Sequence, residues 1–407
     1  MGAFLDHPRT QKTNECGEVK ECEQVCRYVT SSMQGWRIDM EDAHRICVSI
    51  PEFPEWSFFA VFDGHAGNKV AYYSASHLLE TLMETPQFRQ LREMSNNGRL
   101  AITEETTELL KKGLIDGFLN LDAAMQQQQS NGNNEEKERS GTTCVCALMT
   151  PTHIFFANLG DSRALLCRKS EIVSTVDHKP YLDKERERIV KAGGSVMIQR
   201  VNGSLAVSRA FGDFEYKAVP ELEPRDQLVS PEPEVYIIKR NKEEDEFMVL
   251  ACDGIYDVLE NEELYKIICS RLSAKKDLKE ATNQVLDVCL SKGSRDNMTM
   301  VLVIFESAPK FDEEAEKKEI EWENKMKAII QEHMEANKKE EMLDAEVLTV
   351  VLKERCEESN RPGGVHMART LINEAIDKHA SKQQQNDTTE VQQDREKSIE
   401  TTATSSI

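Results

Sequence analysis

The chain has 407 residues, of which 39% are hydrophobic and 30% charged, the composition of a globular body with polar appendages. Its formal net charge of -21 argues against a nucleic-acid binder, which needs a basic surface. The 11 cysteines include no CxxC pair, so neither a disulfide framework nor a zinc site is expected, and reduced structural thiols in an intracellular protein are. No apolar run approaches the ~18 residues of a membrane span, and no signal-peptide pattern is present.

Residues 1–24 are polar and read as a flexible arm. The following stretch, Ser32 to His44, carries Arg37, Glu41 and Asp42. Arg37 and Glu41 are four apart, which places them on one face in a helix or an extended chain. The spacing alone favours a surface ion pair of small value; the sharper alternative is an anion-binding arginine beside a cation-binding glutamate. Next, Phe58 to Phe62 form an unbroken apolar run bounded by Pro54 and glycines, the pattern of a strand buried on both faces. It ends in Asp63-Gly64-His65, which alone is most simply a turn.

Val70–Met83 and residues 101–125 carry helical apolar spacing, and Gln126 to Arg139 reads as a polar low-complexity loop. Ser140 to Met149 and His153 to Arg163 read as a strand pair turned at Thr150-Pro151-Thr152, with Thr143 early in the first strand and Asp161 at the tip of the second. Leu182 to Ala192 is a charged amphipathic helix stopped by Gly193-Gly194. Residues 195–234 lack periodicity, and an irregular stretch of that length is often a lid or flap. Phe247 to Asp257 repeats the strand-to-acid device with Asp253-Gly254 and Asp257. Helical patterns cover Glu262–Leu272 and Leu278–Leu290, and Asp296-Asn297 precede a further buried strand. Beyond about residue 308 three amphipathic helices read as a separate small domain, 308–380, followed by a Gln-, Thr- and Ser-rich tail, 381–407, expected to be disordered.

Asp63, Asp161, Asp253 and Asp296 thus stand at ends of apolar strands, joined by Glu41 and Asp42. Several acids converging on one edge would repel unless cations lie between them. All-oxygen ligands suit Mg²⁺ or Mn²⁺. A pair of such ions can polarise a phosphoryl group and activate a bridging water, leaving charge stabilisation and a leaving-group acid to be supplied. Arg37 and His65 fit those two roles.

The chain resembles the metal-dependent Ser/Thr protein phosphatases of the PP2C (PPM) family, and among them the animal alpha/beta-type members with a C-terminal helical domain. The matching stretches run in order from Met1-Gly-Ala-Phe-Leu-Asp6 through Ser32–His44, Ser57–Gly67, Gly160–Arg163, Asp177–Pro180, Ala192–Asp213, Val229–Glu234 and Ala251–Asp257 to Gly293–Met298. The resemblance implies an α+β fold, a four-layer α/β/β/α sandwich of two antiparallel sheets over residues 25–305, with a two-metal site at one edge. Carried over by position, Asp63 bridges two Mn²⁺ or Mg²⁺ ions, Gly64 offers its carbonyl, and Glu41 supports one ion. Asp253 and Asp296 hold the other, and Asp161 belongs to a weaker third, with Thr143 and Asp257 nearby and Asp42 and Asn297 in support. Arg37 binds the substrate phosphate and His65 is the general acid. The same resemblance implies phosphoserine and phosphothreonine proteins as partners, a monomer, and a cytoplasmic and nuclear location. It also implies N-myristoylation of Gly2 with membrane association through it, although Asp6 departs from the Ser or Thr preferred there. Tyr256 stands where Trp is usual, Phe211 where Leu is usual, and Thr142 where Ser is more frequent. The main rival is a pseudophosphatase serving as a binding module, which would lack one or more of these acids. A nuclease is disfavoured by the charge.

Overall fold

The computed structural model describes residues 4–21, 24–131, 138–337, 344–356 and 361–379. Gly2 and the 381–407 tail lie outside the described residues. The chain divides into two compact units between Lys310 and Phe311.

The first unit is built on two antiparallel sheets. One has six strands in the spatial order Phe4–Glu21, Gln24–Arg37, Met298–Ile304, Asp245–Ala251, Arg163–Arg168, Ile172–Ser174. The other has five, in the order Glu234–Lys239, His153–Leu159, Cys144–Met149, Ser57–Phe62, Ala43–Cys47. The apolar runs are unbroken because their strands are covered on both faces. In Ser57–Phe62, Phe59 and Val61 pack with Val145, Met248, Leu250, Val301 and Val303 between the sheets. Phe58, Ala60 and Phe62 turn the other way, onto Leu78, Leu82, Leu114 and Phe118 of the helices Lys69–Met83 and Glu104–Asn131. The helices Asn261–Ala274 and Leu278–Ser291 complete the fourth layer outside the six-stranded sheet, where Tyr265 stacks on Phe247 and Leu278–Ser291 packs on Gln24–Arg37. Each fully buried Phe contributes roughly 1.5–3 kcal/mol of transfer free energy, so this double coverage holds the strand ends firmly in place. The described cysteines are free thiols.

Two sequence expectations need correcting. The segment read as a flexible arm is a strand from Phe4 to Glu21, antiparallel to Gln24–Arg37. It is polar because it is an edge strand with half its side chains in water, tied by Lys12 to Asp287 at 2.7 Å and by Asn14 to Ser31 and Asn283. Of the Gln-rich stretch 126–139 read as a loop, residues 126–131 instead continue the helix Glu104–Asn131, because Leu121 and Met125 still face the core and glutamine favours helix; 132–137 lie outside the described residues.

In the second unit a 24-residue helix, Glu313–Ala336, packs on Ala345–Arg355, and residues 369–379 are helical. Asp312 and Asp344 cap the first two by accepting from the backbone N–H groups of Glu314 and Glu346. Arg361 lies 3.9 Å above the Trp322 ring and pairs with buried Glu319. Among the described residues, these α-helices fall on the apolar spacings read from the sequence. No helix among the described residues is long and apolar enough to cross a membrane.

Candidate metal centre and active site

Three strand ends deliver carboxylates to one edge. Asp63 follows Ser57–Phe62, Asp161 follows His153–Leu159 after Gly160, and Asp253 follows Asp245–Ala251 after Cys252. Carboxylate oxygens of Asp63, Asp161 and Asp253 all lie within 4.8 Å of one another. Burial and the neighbouring acids push Asp63 and Asp253 well above the usual carboxylate range. Burial raises Asp42 to about 7, although Thr299 and Cys252 work against it. Its Oδ2 has no hydrogen-bond partner. Asp42, Asp63 and Cys252 form a second close group, but the Cys252 thiol is held protonated by burial and is engaged by the Thr299 N–H at 3.1 Å. Mutually repelling carboxylates, beside a buried Asp42 with an orphaned oxygen, are what a hard divalent cation stabilises, so the residues fit Mg²⁺ or Mn²⁺.

The other expected site residues are close by, with their own partners. Asp296 does not join either close group; its Oδ2 accepts from Arg37 Nη2 at 2.5 Å. Arg37 is therefore paired with Asp296, and the expected surface pair with Glu41 is not the contact made. Strand Gln24–Arg37 ends at Arg37, and residues 38–42 bend away. Asp296, Asp63 and Glu41 raise the Arg37 guanidinium against the cost of its burial. Glu41 Oε1 accepts from the Gly67 N–H at 2.6 Å. Asn297 fastens the bend: its Oδ1 accepts from Glu41 N–H, and its Nδ2 donates to the carbonyls of Gln34 and Asp39 at 2.8 and 3.0 Å. Thr143 bonds Ser162 at 2.8 Å, and its N–H donates to the Asp63 carbonyl. Burial raises Asp257, whose N–H bonds the Asp253 carbonyl. A Cβ on Gly64 would overlap the Glu41 carbonyl, so the bend can close over the strand end only because that residue is glycine.

Two functional contacts were not legible in the sequence. His65 Nε2 lies 2.7 Å from Oδ2 of Asp213, which is buried. A three-stranded ladder makes this meeting: Phe211–Gly212 and Gly64–His65 both pair with Gly141–Thr142. A Cβ on Gly141 would strike both the His65 ring and the Asp213 carboxylate. Burial opposes the imidazolium, but the charge and hydrogen bond of Asp213 outweigh it and raise His65. The second contact is Lys179, whose Nζ lies 2.5 Å from Asp161 Oδ2. Only the folded chain joins these partners, 148 and 18 residues apart in sequence.

The family model "Protein phosphatase 2C" matches residues 26–298, and the "Protein serine/threonine phosphatase 2C, C-terminal domain" matches 299–377. The chain belongs to the protein phosphatase 2C family. It is 48% identical to "Protein phosphatase 1B" of Rattus norvegicus over 95% of this chain and 97% of that one. It is 52% identical to "Protein phosphatase ppm-1.A" of Caenorhabditis elegans over 82% of this chain and 70% of that one. A solved phosphatase from Toxoplasma gondii superposes with a TM-score of 0.59 at 26% identity, over 73% of this chain and 96% of the other. The chain is accordingly a serine/threonine protein phosphatase of PP2C type, a metal-dependent family with which the carboxylate cluster is compatible.

Proposed function

We propose that this phosphatase hydrolyses phosphoserine and phosphothreonine in proteins with two Mn²⁺ or Mg²⁺ ions, held by Asp63, Gly64, Glu41, Asp253 and Asp296, and a weaker third near Asp161. The convergence of Asp63, Asp161 and Asp253 within 4.8 Å carries the reading. When bound, such ions supply Lewis-acid polarisation of the phosphoryl group and lower the pKa of water. Arg37 exchanges its hold on Asp296 for the phosphate oxygens, its planar fork suiting them. His65 is held by Asp213 at Nε2 and gives a proton from Nδ1 to the departing Ser or Thr oxygen. Asp213 orients the ring and, against the cost of burial, favours its charged form, the form that can give up a proton. Asn297 fastens the bend that carries Glu41, Asp42 supports the site from beside Asp63, and Thr143 and Asp257 line the Asp161 side.

The test is His65→Gln, assayed on a phosphothreonine peptide and on an aryl phosphate. A protonated acid matters most when the leaving oxygen is basic, so the peptide rate falls by about 10²–10⁴-fold and the aryl phosphate rate much less. Equal slowing of both removes the acid role.

A further inference from the structure

Asp122 and Lys217 are an acid and a base buried together next to the segment that carries Asp213, and the chemistry above uses neither. Their side chains are only 6% and 4% exposed, and they meet at 2.7 Å. Asp122 lies on the helix Glu104–Asn131, one turn beyond Phe118, whose ring packs on Phe211 with centroids 5.0 Å apart. The helix therefore brings its carboxylate to the strand Phe211–Gly212, just ahead of Asp213. There Asp122 Oδ1 accepts from the Gly212 N–H at 2.9 Å as well as from Lys217 Nζ. Lys217 Nζ donates in addition to the Ala210 carbonyl at 2.9 Å. One ion pair thus grips the backbone at two points, 210 and 212.

Stability does not account for the pair. A buried ion pair is often matched or bettered by apolar side chains of the same volume. Position does. Asp213 holds a left-handed conformation, φ 51°, which a residue other than glycine keeps only where its surroundings fix it. From there its carboxylate reaches the His65 ring at 2.7 Å. Burial raises Asp122, and the charge of Asp213 adds to this, while Lys217 and the Gly212 N–H act against both. The ammonium therefore offsets the repulsion between two carboxylates that the fold places close together.

We propose that Asp122 and Lys217 are positioning residues for the general acid, fixing the backbone from which Asp213 holds the His65 ring toward the departing oxygen. The inference rests on His65 as the acid.

The experiment compares kcat on a phosphothreonine peptide with kcat on an aryl phosphate, with Mn²⁺ present. The proteins are wild type, Asp122→Asn/Lys217→Met, and the same pair of changes added to Asp213→Asn. The paired change removes both charges at similar volume and leaves neither buried alone. The peptide-to-aryl ratio falls by about 10-fold in the paired variant, because only the basic leaving oxygen depends strongly on the acid. Added to Asp213→Asn, the pair lowers the ratio by less than about 2-fold, since the link to His65 is already broken. The ratio compares two substrates on one protein sample, so a loss of folded protein does not mimic the effect. An unchanged ratio in the paired variant, or a further fall of about 10-fold on top of Asp213→Asn, overturns the proposal while His65→Gln still separates the two substrates. If His65→Gln slows both equally, the acid reading fails and the proposal with it.

Discussion

Glu185→Gln probes how the irregular segment beside the active site is held. Glu185 is buried on the helix Asp183–Lys191. Its Oε1 accepts from Arg209 Nη2 at 2.6 Å, and its Oε2 from Arg188 Nη1 at 2.6 Å and Ser208 Oγ at 2.7 Å. Arg209 also donates to the Glu232 carbonyl, so one carboxylate ties the helix to both ends of the 208–232 stretch that carries Asp213. Burial acts to raise Glu185, but the Arg209 hydrogen bond and the charges of Arg188 and Arg209 prevail and bring it from 4.5 to about 2. That gap of about 2.5 corresponds to about 3 kcal/mol at about 1.36 kcal/mol per pKa unit. Burial pulls Arg188 below its ordinary value even beside this acid, which offsets part of the gain. Removing the charge, in turn, leaves two part-buried guanidinium groups with only carbonyl acceptors, a change bounded above by the about 3–5 kcal/mol seen when a buried pair is broken. The net expectation is a loss of about 2–4 kcal/mol at pH 7, read from urea unfolding by circular dichroism. Because the folded pKa is the lower one, the unfolded chain binds more protons between about pH 4.5 and about pH 2. The contribution is therefore complete above pH 4.5 and fades as pH falls through the folded value. The gap between wild type and variant should narrow below pH 4.5. A loss under about 0.5 kcal/mol at pH 7, the size of an ordinary surface substitution, or a gap that widens in acid, refutes the reasoning.

Two further substitutions probe the site itself. Asp213→Asn suits the left-handed backbone there, φ 51°, yet removes the charge that supports His65. The rate on a phosphothreonine peptide should fall by about 10–100-fold with little change in melting temperature, and an unchanged rate would detach Asp213 from the acid. Gly254→Ala places a Cβ on the backbone carbonyl of Asn297 and so displaces the strand end bearing Asp296. A destabilisation of about 1–3 kcal/mol and weaker Mn²⁺ binding are expected, and a variant that melts and binds Mn²⁺ as wild type does would contradict the close approach.

How much the sequence disclosed follows from where each residue's partners lie. Unbroken apolar runs announced the strands ending at Asp63 and Asp253 and the one preceded by Asp296, because double coverage removes the polar alternation that marks an open sheet. The helices after Asp63 were legible by their spacing. Phe4–Glu21 was not, since an edge strand with one wet face resembles a polar arm until its partner is known. Asp213 closes a stretch that matches the family, but its role left no signal: it follows Gly212 in an aperiodic segment and meets His65 through a ladder whose members come from residues 64–65, 141–142 and 211–212. The acids were readable as types, but the Arg37 hold on Asp296 and the Lys179 hold on Asp161 were set by geometry alone.

Asp63→Asn tests the central claim most directly, with Mn²⁺ titrated by calorimetry and phosphate release followed from a phosphothreonine peptide. Like charges and burial destabilise ionised Asp63 when no ion is present, so the metal-free variant should melt at or above the wild-type temperature. Losing an anion from a site that orients ions and substrate should lower Mn²⁺ affinity and cut turnover by about 10³-fold or more. A variant that folds, binds Mn²⁺ as tightly as wild type and releases phosphate at the wild-type rate would contradict the carboxylate cluster as the metal centre.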